Sequence, residues 1–374
     1  SYDEALSSVL NTLDAEAFRA EQRQAWTEGR FIGLGLCAFT EQTGIGAVEF
    51  GKRGSTVNMG YEPVSIRFDP SGTALLFAAT HSHGQGHATT LAQLAADELG
   101  INVDDITVIQ GDTDQVPYGF GTFASRSAVM SGGATIQASR VVADKIKRIA
   151  AHWLETSAED IDLGEGRASV RGAPERSALI RDIAYASIIQ CDRLPAGEEP
   201  GLETTQRYTA GIGTGGFSNA CHLAVVEVDP EVGKVEILRY LVAEDCGKVI
   251  NPMIVEGQVH GGIAQGIGST MYEHLAYDTE GQLLTASFLD YLIPGATEIP
   301  HIEIDHLESP SPVTLGGIKG MGEGGAVAPA GAIANAIVDA LAPLGVTITD
   351  LPLDPSRVRA LISKHQAGRN SEAS

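Results

Sequence analysis

The sequence predicts an α+β protein built from two mixed sheets, each layered with helices on one side. Three observations predict it. Hairpin signals alternate with helical periodicity along the whole chain. The order strand, turn, strand, helix occurs twice, with Asp69-Pro70-Ser71-Gly72 and Asp229-Pro230-Glu231-Val232-Gly233 at the two turns, which reads as a weak internal duplication. No GxGxxG follows a strand and opens a helix, so a doubly wound dinucleotide-binding sheet is not expected. The nearest run, GIGTGG at 211–216, enters a strand instead.

The elements follow in order. Residues 5–28 read as a polar helix, and Phe31 to Phe39 as a buried strand. Val64–Phe68 and Ala74–Thr80 flank the first turn. Leu91, Leu94, Ala95 and Leu99 recur at helical spacing, and Gly100 closes that helix. A short strand at Ile106–Ile109 precedes a long helix over about 130–156, with Val142, Ile146, Ile149, Ala150 and Trp153 on one face. Residues 158–215 read as an irregular connector with one short helix near 179–188. Cys221–Val228 and Val235–Val242 flank the second turn. A glycine-rich helix starts at Pro252, a strand lies near 301–307 and a helix near 326–342. This gives a helical lead-in at 1–29, a first unit at 30–205, a second at 206–363 and a disordered tail at 364–374.

Composition bounds the function. The 374 residues are 43% hydrophobic, enough for a sizeable core. No run of 18 apolar residues occurs, so no membrane partner is expected. A net charge of -23 argues against nucleic acid and anionic lipid. Cys37, Cys191, Cys221 and Cys246 are widely spaced with no CxxC, which disfavours a zinc site or iron–sulfur cluster and suits a reducing, cytoplasmic setting.

Four segments concentrate chemistry. His81-Ser82-His83-Gly84-Gln85-Gly86-His87 could be a metal site, a tight turn with ordinary histidines, or a helix N-terminus that grips an anionic or oxo-bearing ligand. The glycines between His83 and His87 and the lack of a nearby carboxylate favour the last. Thr122-Phe123-Ala124-Ser125-Arg126-Ser127 follows Tyr118-Gly119-Phe120-Gly121 and precedes the long helix, as in loops whose amides and hydroxyls surround a phosphate or pterin; a plain N-cap with solvated serines explains it equally well. Asn251-Pro252 opens a helix carrying Gln258 and Gln265, seven residues apart over Gly261 and Gly262. That face suits a flat polar heterocycle, and close helix packing explains only the glycines. Last, Glu323 stands among six glycines from Gly316 to Gly325. A solvated loop is one reading; the other is a partly desolvated carboxyl whose pKa is raised toward a useful base.

In this order, GQGH, YGFGTFASRS, GQVHGGIAQG and KGMGEGG resemble the xanthine oxidase, aldehyde oxidase and carbon monoxide dehydrogenase family of molybdenum hydroxylases, from about residue 30 to about 360. The resemblance implies two molybdopterin-binding domains of the large-subunit type. It places Gly84, Gln85, Gly86 and His87 near the metal and pterin, and Thr122 to Ser127 along the pterin and its phosphate. Gln258 falls near the metal's oxo face, with Gln265 on the same helix and Gly322 beside the base, Glu323. No protein side chain ligates the molybdenum. The family's large subunit is about twice as long, so the resemblance implies the C-terminal half of a split or cleaved subunit. An N-terminal-half subunit, a small 2Fe-2S subunit and an FAD subunit would complete it. A bacterial-type member is expected to use the cytosine dinucleotide form of molybdopterin, which nothing in the sequence distinguishes from the mononucleotide. The loop around Glu323 looks more like members that oxidise aldehydes and N-heterocycles than those that oxidise carbon monoxide. Two other classes stand beside this one: a non-catalytic cofactor carrier, and a metal-dependent hydrolase using His81, His83 and His87.

Overall fold

The computed structural model describes residues 1–54, 56, 60–210 and 216–372. Most of the GIGTGG run, at 211–215, lies outside the described residues. Helices α1 (Tyr2–Leu13) and α2 (Ala15–Thr27) precede β1 (Phe31–Thr43) and the short α3 (Ala47–Lys52). The single helix predicted over 5–28 is broken at Asp14, which takes a left-handed φ of 55° and caps α2 by accepting from the Ala17 N–H.

The first sheet is built on the hairpin β2 (Glu62–Phe68) and β3 (Ala74–Ala78), with Val64 opposite Ala78 and Phe68 opposite Ala74. Helix α4 (His87–Leu99) returns the chain to β4 (Ile106–Ile109), parallel to β3, and Gly100 ends the helix at φ 66°. The long α5 (Ser127–Trp153) then crosses the sheet. Val64, Ile66, Phe68, Leu76, Leu91, Leu99, Ile146 and Ile149 form one buried core.

The connector is more ordered than its composition predicts. It holds a small antiparallel sheet of β5 (Ile161–Gly164), β6 (Arg167–Val170) and β7 (Ala173–Leu179), then α6 (Ile180–Ile189) and β8 (Glu203–Tyr208). Four-residue strands are too short for their alternation to register. The polar β8 is an edge strand, bonded to β2 alone.

The second sheet repeats the first. The hairpin β9 (Gly216–Asp229) and β10 (Lys234–Asp245) leads into α7 (Pro252–Met271) and then β11 (Ile302–Leu307), parallel to β10. Helices α8 (Gly324–Val327) and α9 (Pro329–Ala340) follow, then α10 (Pro355–Glu372). The orders β4-β3-β2-β8 and β1-β9-β10-β11 therefore match, strand for strand, once one is reversed. The outer strands cross the division at 205/206. β1 pairs along its whole length with β9 of the second sheet, while β8, which spans that boundary, completes the first. Alternation along a strand identifies its buried face and not its neighbour. Likewise residues 364–372, expected as a disordered tail, continue α10.

The second sheet is covered on both sides, where the sequence predicts helices on one. Ala224, Val226, Val228 and Val242 meet α7 and α9; Leu223, Val225, Leu241 and Ala243 meet α1 and α2. Strands apolar on both faces need both faces shielded. The helical lead-in is thus part of this core.

β1 reaches α9 through two glycines. A Cβ on Gly35 would lie 2.0 Å from the Ala332 carbonyl oxygen, and one on Gly33 2.2 Å from that of Ala336. Gly35→Ala therefore overpacks a rigid strand–helix contact and is expected to lower stability by about 1–3 kcal/mol. A denaturant titration checks this; an unchanged midpoint would mean α9 retreats freely.

Candidate functional site

The two halves meet at a cavity of about 720 Å³. The starts of α4, α5 and α7 all contribute to its wall, through His87 and Thr90, through Ser127 and Ala128, and through Ile254 and Val255. Each helix start carries N–H groups without intrahelical acceptors and the positive end of its dipole. Three such ends around one cavity favour an anionic ligand.

The loop before α4 places His83, Gly84, Gln85 and His87 on the wall. Gln85 folds back on its own turn, its side-chain oxygen accepting from the His83 N–H. Gly86 lies off the wall. A Cβ there would meet Ile254 at 2.6 Å, so this glycine lets α4 approach α7. Burial first, then the charges of His83 and His81, lower the His87 pKa to about 4, so its imidazole is neutral at pH 7. Its Nδ1 is sealed from solvent without a hydrogen-bond partner among the described residues. His81 and His83 stack edge to face, 5.6 Å between centroids. Among the described residues no three His, Cys, Asp or Glu converge as metal ligands, which removes the geometric basis of the hydrolase reading.

Residues Thr122 to Ser127 all line the cavity. Ala124 and Ser125 take left-handed φ of 47° and 49°, followed by Arg126 at φ -99°, whose N–H closes the turn on the Phe123 carbonyl at 3.2 Å. The Thr122 hydroxyl donates to the His81 carbonyl at 2.7 Å and accepts from Ser127 Oγ at 3.0 Å, tying the two loops together. Arg126 departs from its expected role. Its side chain is fully buried against Glu62, whose Oε1 also accepts from the Phe120 and Gly121 N–H groups. The guanidinium clasps the loop from behind and lies over the Phe123 ring at 4.9 Å. The sequence offers no signal that pairs Glu62 with Arg126 across 64 residues.

On α7, Gln258 lines the cavity and Gln265 does not; Gln265 is exposed. Seven residues nearly return a helix to the same face but advance it about 10 Å along the axis, past a cavity that sits at the helix start.

Glu323 lines the cavity beside Gly322 and Met321. The glycines around it are explained by contact. A Cβ on Gly320 would fall 1.7 Å from the Ser125 carbonyl oxygen, and one on Gly325 2.6 Å from that of Val259. Without side chains there, the loop settles between the Ser125 turn and α7. The Gly320 N–H donates to Thr43 Oγ1 at 2.8 Å, and Lys319, nearly buried, pairs with Asp245 at 3.1 Å. Ser125 then orients the carboxyl, since its hydroxyl donates to Glu323 Oε2 at 2.9 Å and accepts from the Glu323 N–H at 3.0 Å. The expected desolvation is absent: Glu323 is exposed on the open side of the cavity and is held by Ser125, not by burial.

Comparison with known proteins decides the family. A model of the molybdopterin cofactor-binding domain matches residues 8–300. The chain is 41% identical over 358 residues to the nicotine 6-hydroxylase large subunit of Paenarthrobacter nicotinovorans, across 96% of this chain and 44% of that one. This chain belongs to the molybdenum-binding subunits of the xanthine oxidase family. It is 39% identical to the carbon monoxide dehydrogenase large chain of Hydrogenophaga pseudoflava, across 97% of this chain and 45% of that one. The quinoline 2-oxidoreductase structure from Pseudomonas putida 86 superposes with a TM-score of 0.92 at 38% identity, covering 97% of this chain and 46% of the other. The chain thus spans less than half the length of these relatives. The residues present fit the family's cofactor: three helix starts suit anionic groups, and the Gln258 amide on the same wall can offer hydrogen bonds.

Proposed function

We propose that this chain is the C-terminal half of the large subunit of a molybdenum hydroxylase that hydroxylates an electron-poor carbon of an N-heteroaromatic ring, with Glu323 as its base. The observation that carries the proposal is a Ser125-anchored carboxylate on the wall of an anion-binding cavity. A cofactor carrier needs no such carboxylate. Relatives named for nicotine and quinoline support the heteroaromatic class, and the one named for carbon monoxide is similar at nearly the same identity. The aldehyde oxidoreductase from Desulfovibrio gigas, at 21% identity, shares the fold.

The cofactor, when bound, supplies two-electron oxidation with oxygen drawn from water. The chain's own residues hold and orient it. The starts of α4 and α5 and the turn at Ala124 to Ser127 receive its anionic groups, and the cytosine dinucleotide form is the one proposed. Gln258 offers an amide on the same cavity wall as Glu323, whose carboxylate accepts a proton from the reacting oxygen. Electrons leave to iron–sulfur and FAD subunits in a cytoplasmic complex. A covering partner is supported by the segment between α7 and β11, where Phe288 and Leu289 are 81% and 89% exposed with Leu292 and Ile293 beside them; the N-terminal half of the large subunit is the partner proposed.

The test is metal analysis and turnover of the complex purified natively through this chain. Molybdenum near one atom per chain is expected, with iron, and with product oxygen labelled from ¹⁸O-water on nicotine- or quinoline-type rings. A complex with molybdenum that turns over only carbon monoxide or aldehydes would reject the substrate class. A chain without molybdenum would reject the catalytic reading.

A further inference from the structure

Beside Glu323 stands a second carboxyl that the cofactor site does not account for. Glu41, near the end of β1, faces Ser218 of β9, and its neighbours on the same strand face, Phe39 and Thr43, meet the Glu323 loop at Gly324 and Gly320, which brings Glu41 to Ser125 and Glu323. Among the described residues its surroundings are poor in donors. Ser218 Oγ reaches Glu41 Oε2 at 3.4 Å, a long hydrogen bond. Glu41 Oε1 is shut off from solvent and has no hydrogen-bond partner among the described residues. The Ser125 hydroxyl has one proton to give, and it points at Glu323 Oε2. The cations of this region are engaged elsewhere. Lys319 is on Asp245, Arg126 on Glu62, and Arg53 on Glu49 and the Gln42 side chain. A dry carboxylate oxygen with no donor is costly, whereas a protonated carboxyl supplies a donor of its own.

We propose that Glu41 is a positioning residue for Glu323: the two carboxyls flank Ser125 and hold one proton between them, carried by Glu41, which leaves Glu323 as the charged member facing the cavity. The direction of the Glu41 titration agrees. Burial raises it first; the Ser125 hydroxyl, within reach of both carboxyls, opposes the rise, the neighbouring Glu323 adds to it, and together they bring it to about 7. Glu41 holds its proton below about 7 and loses it above, where a second charge comes to lie beside Glu323. Glu41 thus keeps Glu323 hydrogen-bonded and singly placed in the range where a base is needed.

The role of Glu41 rests on Glu323 being the base, while the shared proton does not, and the experiment separates them. The purified multi-subunit enzyme is titrated by infrared difference spectroscopy, which reads the C=O stretch of a protonated carboxyl independently of turnover. The pH profile of kcat is measured in parallel. In the wild type a protonated-carboxyl band is expected to disappear as pH rises through about 7. Glu41→Gln removes that band and the matching upper step in the kcat profile, while its amide still donates to Glu323 and keeps kcat at the optimum within about tenfold. Glu323→Gln removes the neighbouring charge and moves the band's titration to lower pH, whether or not Glu41→Gln folds. An unchanged band and profile in Glu41→Gln, or a band that does not move in Glu323→Gln, overturns the proposal. If the band behaves as expected but Glu323→Gln turns over normally, the shared proton stands while the positioning role fails with the base assignment.

Discussion

Glu323→Gln is expected to lower kcat by about 10²–10⁴-fold, the effect of losing a general base, with the fold and the cofactor content unchanged. The amide is nearly isosteric and can still accept from Ser125 Oγ, so the loop at Gly320 to Gly325 keeps its contacts with Thr43 and α7. Only proton-accepting capacity is lost. The loss belongs in kcat and kcat/KM together, because the carboxylate acts on the reacting oxygen and not on substrate affinity. Ser125→Ala removes two hydrogen bonds to Glu323 but leaves the base, so it should be milder. Molybdenum analysis beside steady-state kinetics distinguishes a chemical loss from a loading defect. Retained turnover in Glu323→Gln at full metal content would defeat the assignment.

The second large effect is on stability. Glu62→Ala is expected to destabilise the chain by about 3–5 kcal/mol, the range for breaking one side of a buried ion pair. Both side chains of the Glu62–Arg126 pair are wholly buried, and the carboxylate also accepts two backbone N–H groups of the loop that carries Thr122 to Ser127. Removing it strands a guanidinium whose Nε and Nη2 already lack partners among the described residues, and frees the loop that faces the cavity. Cofactor retention should therefore fall with stability. Asp162→Asn provides the contrast. Its pair with Arg171 is 57% and 62% exposed, so solvent and salt screen it and its loss should leave the midpoint almost unmoved. A double variant, Glu62→Leu with Arg126→Met, should recover much of the lost stability, because it removes both charges. Chemical denaturation of the three variants gives the comparison. Equal midpoints for Glu62→Ala and wild type would mean that water or another group replaces the carboxylate.

The chain by itself determined the two strand–turn–strand–helix repeats and most of the segments that line the cavity. Alternation and helical spacing are local signals, so both hairpins, the helices that follow them and the repeat of that order were legible. The four glycine-bearing segments were legible too, because glycine survives where backbone must approach backbone, as Gly320 does at Ser125. Only the tertiary structure decided how these pieces combine. It sent β1 to the far sheet, made a wall residue of Gln258 but not Gln265, and paired the Arg126 side chain with Glu62. It also set Glu41 beside Glu323, 282 positions away in the chain. The reason is physical. A residue's periodicity reports which way it faces, but its partner is chosen by packing and charge between segments that the sequence does not place side by side.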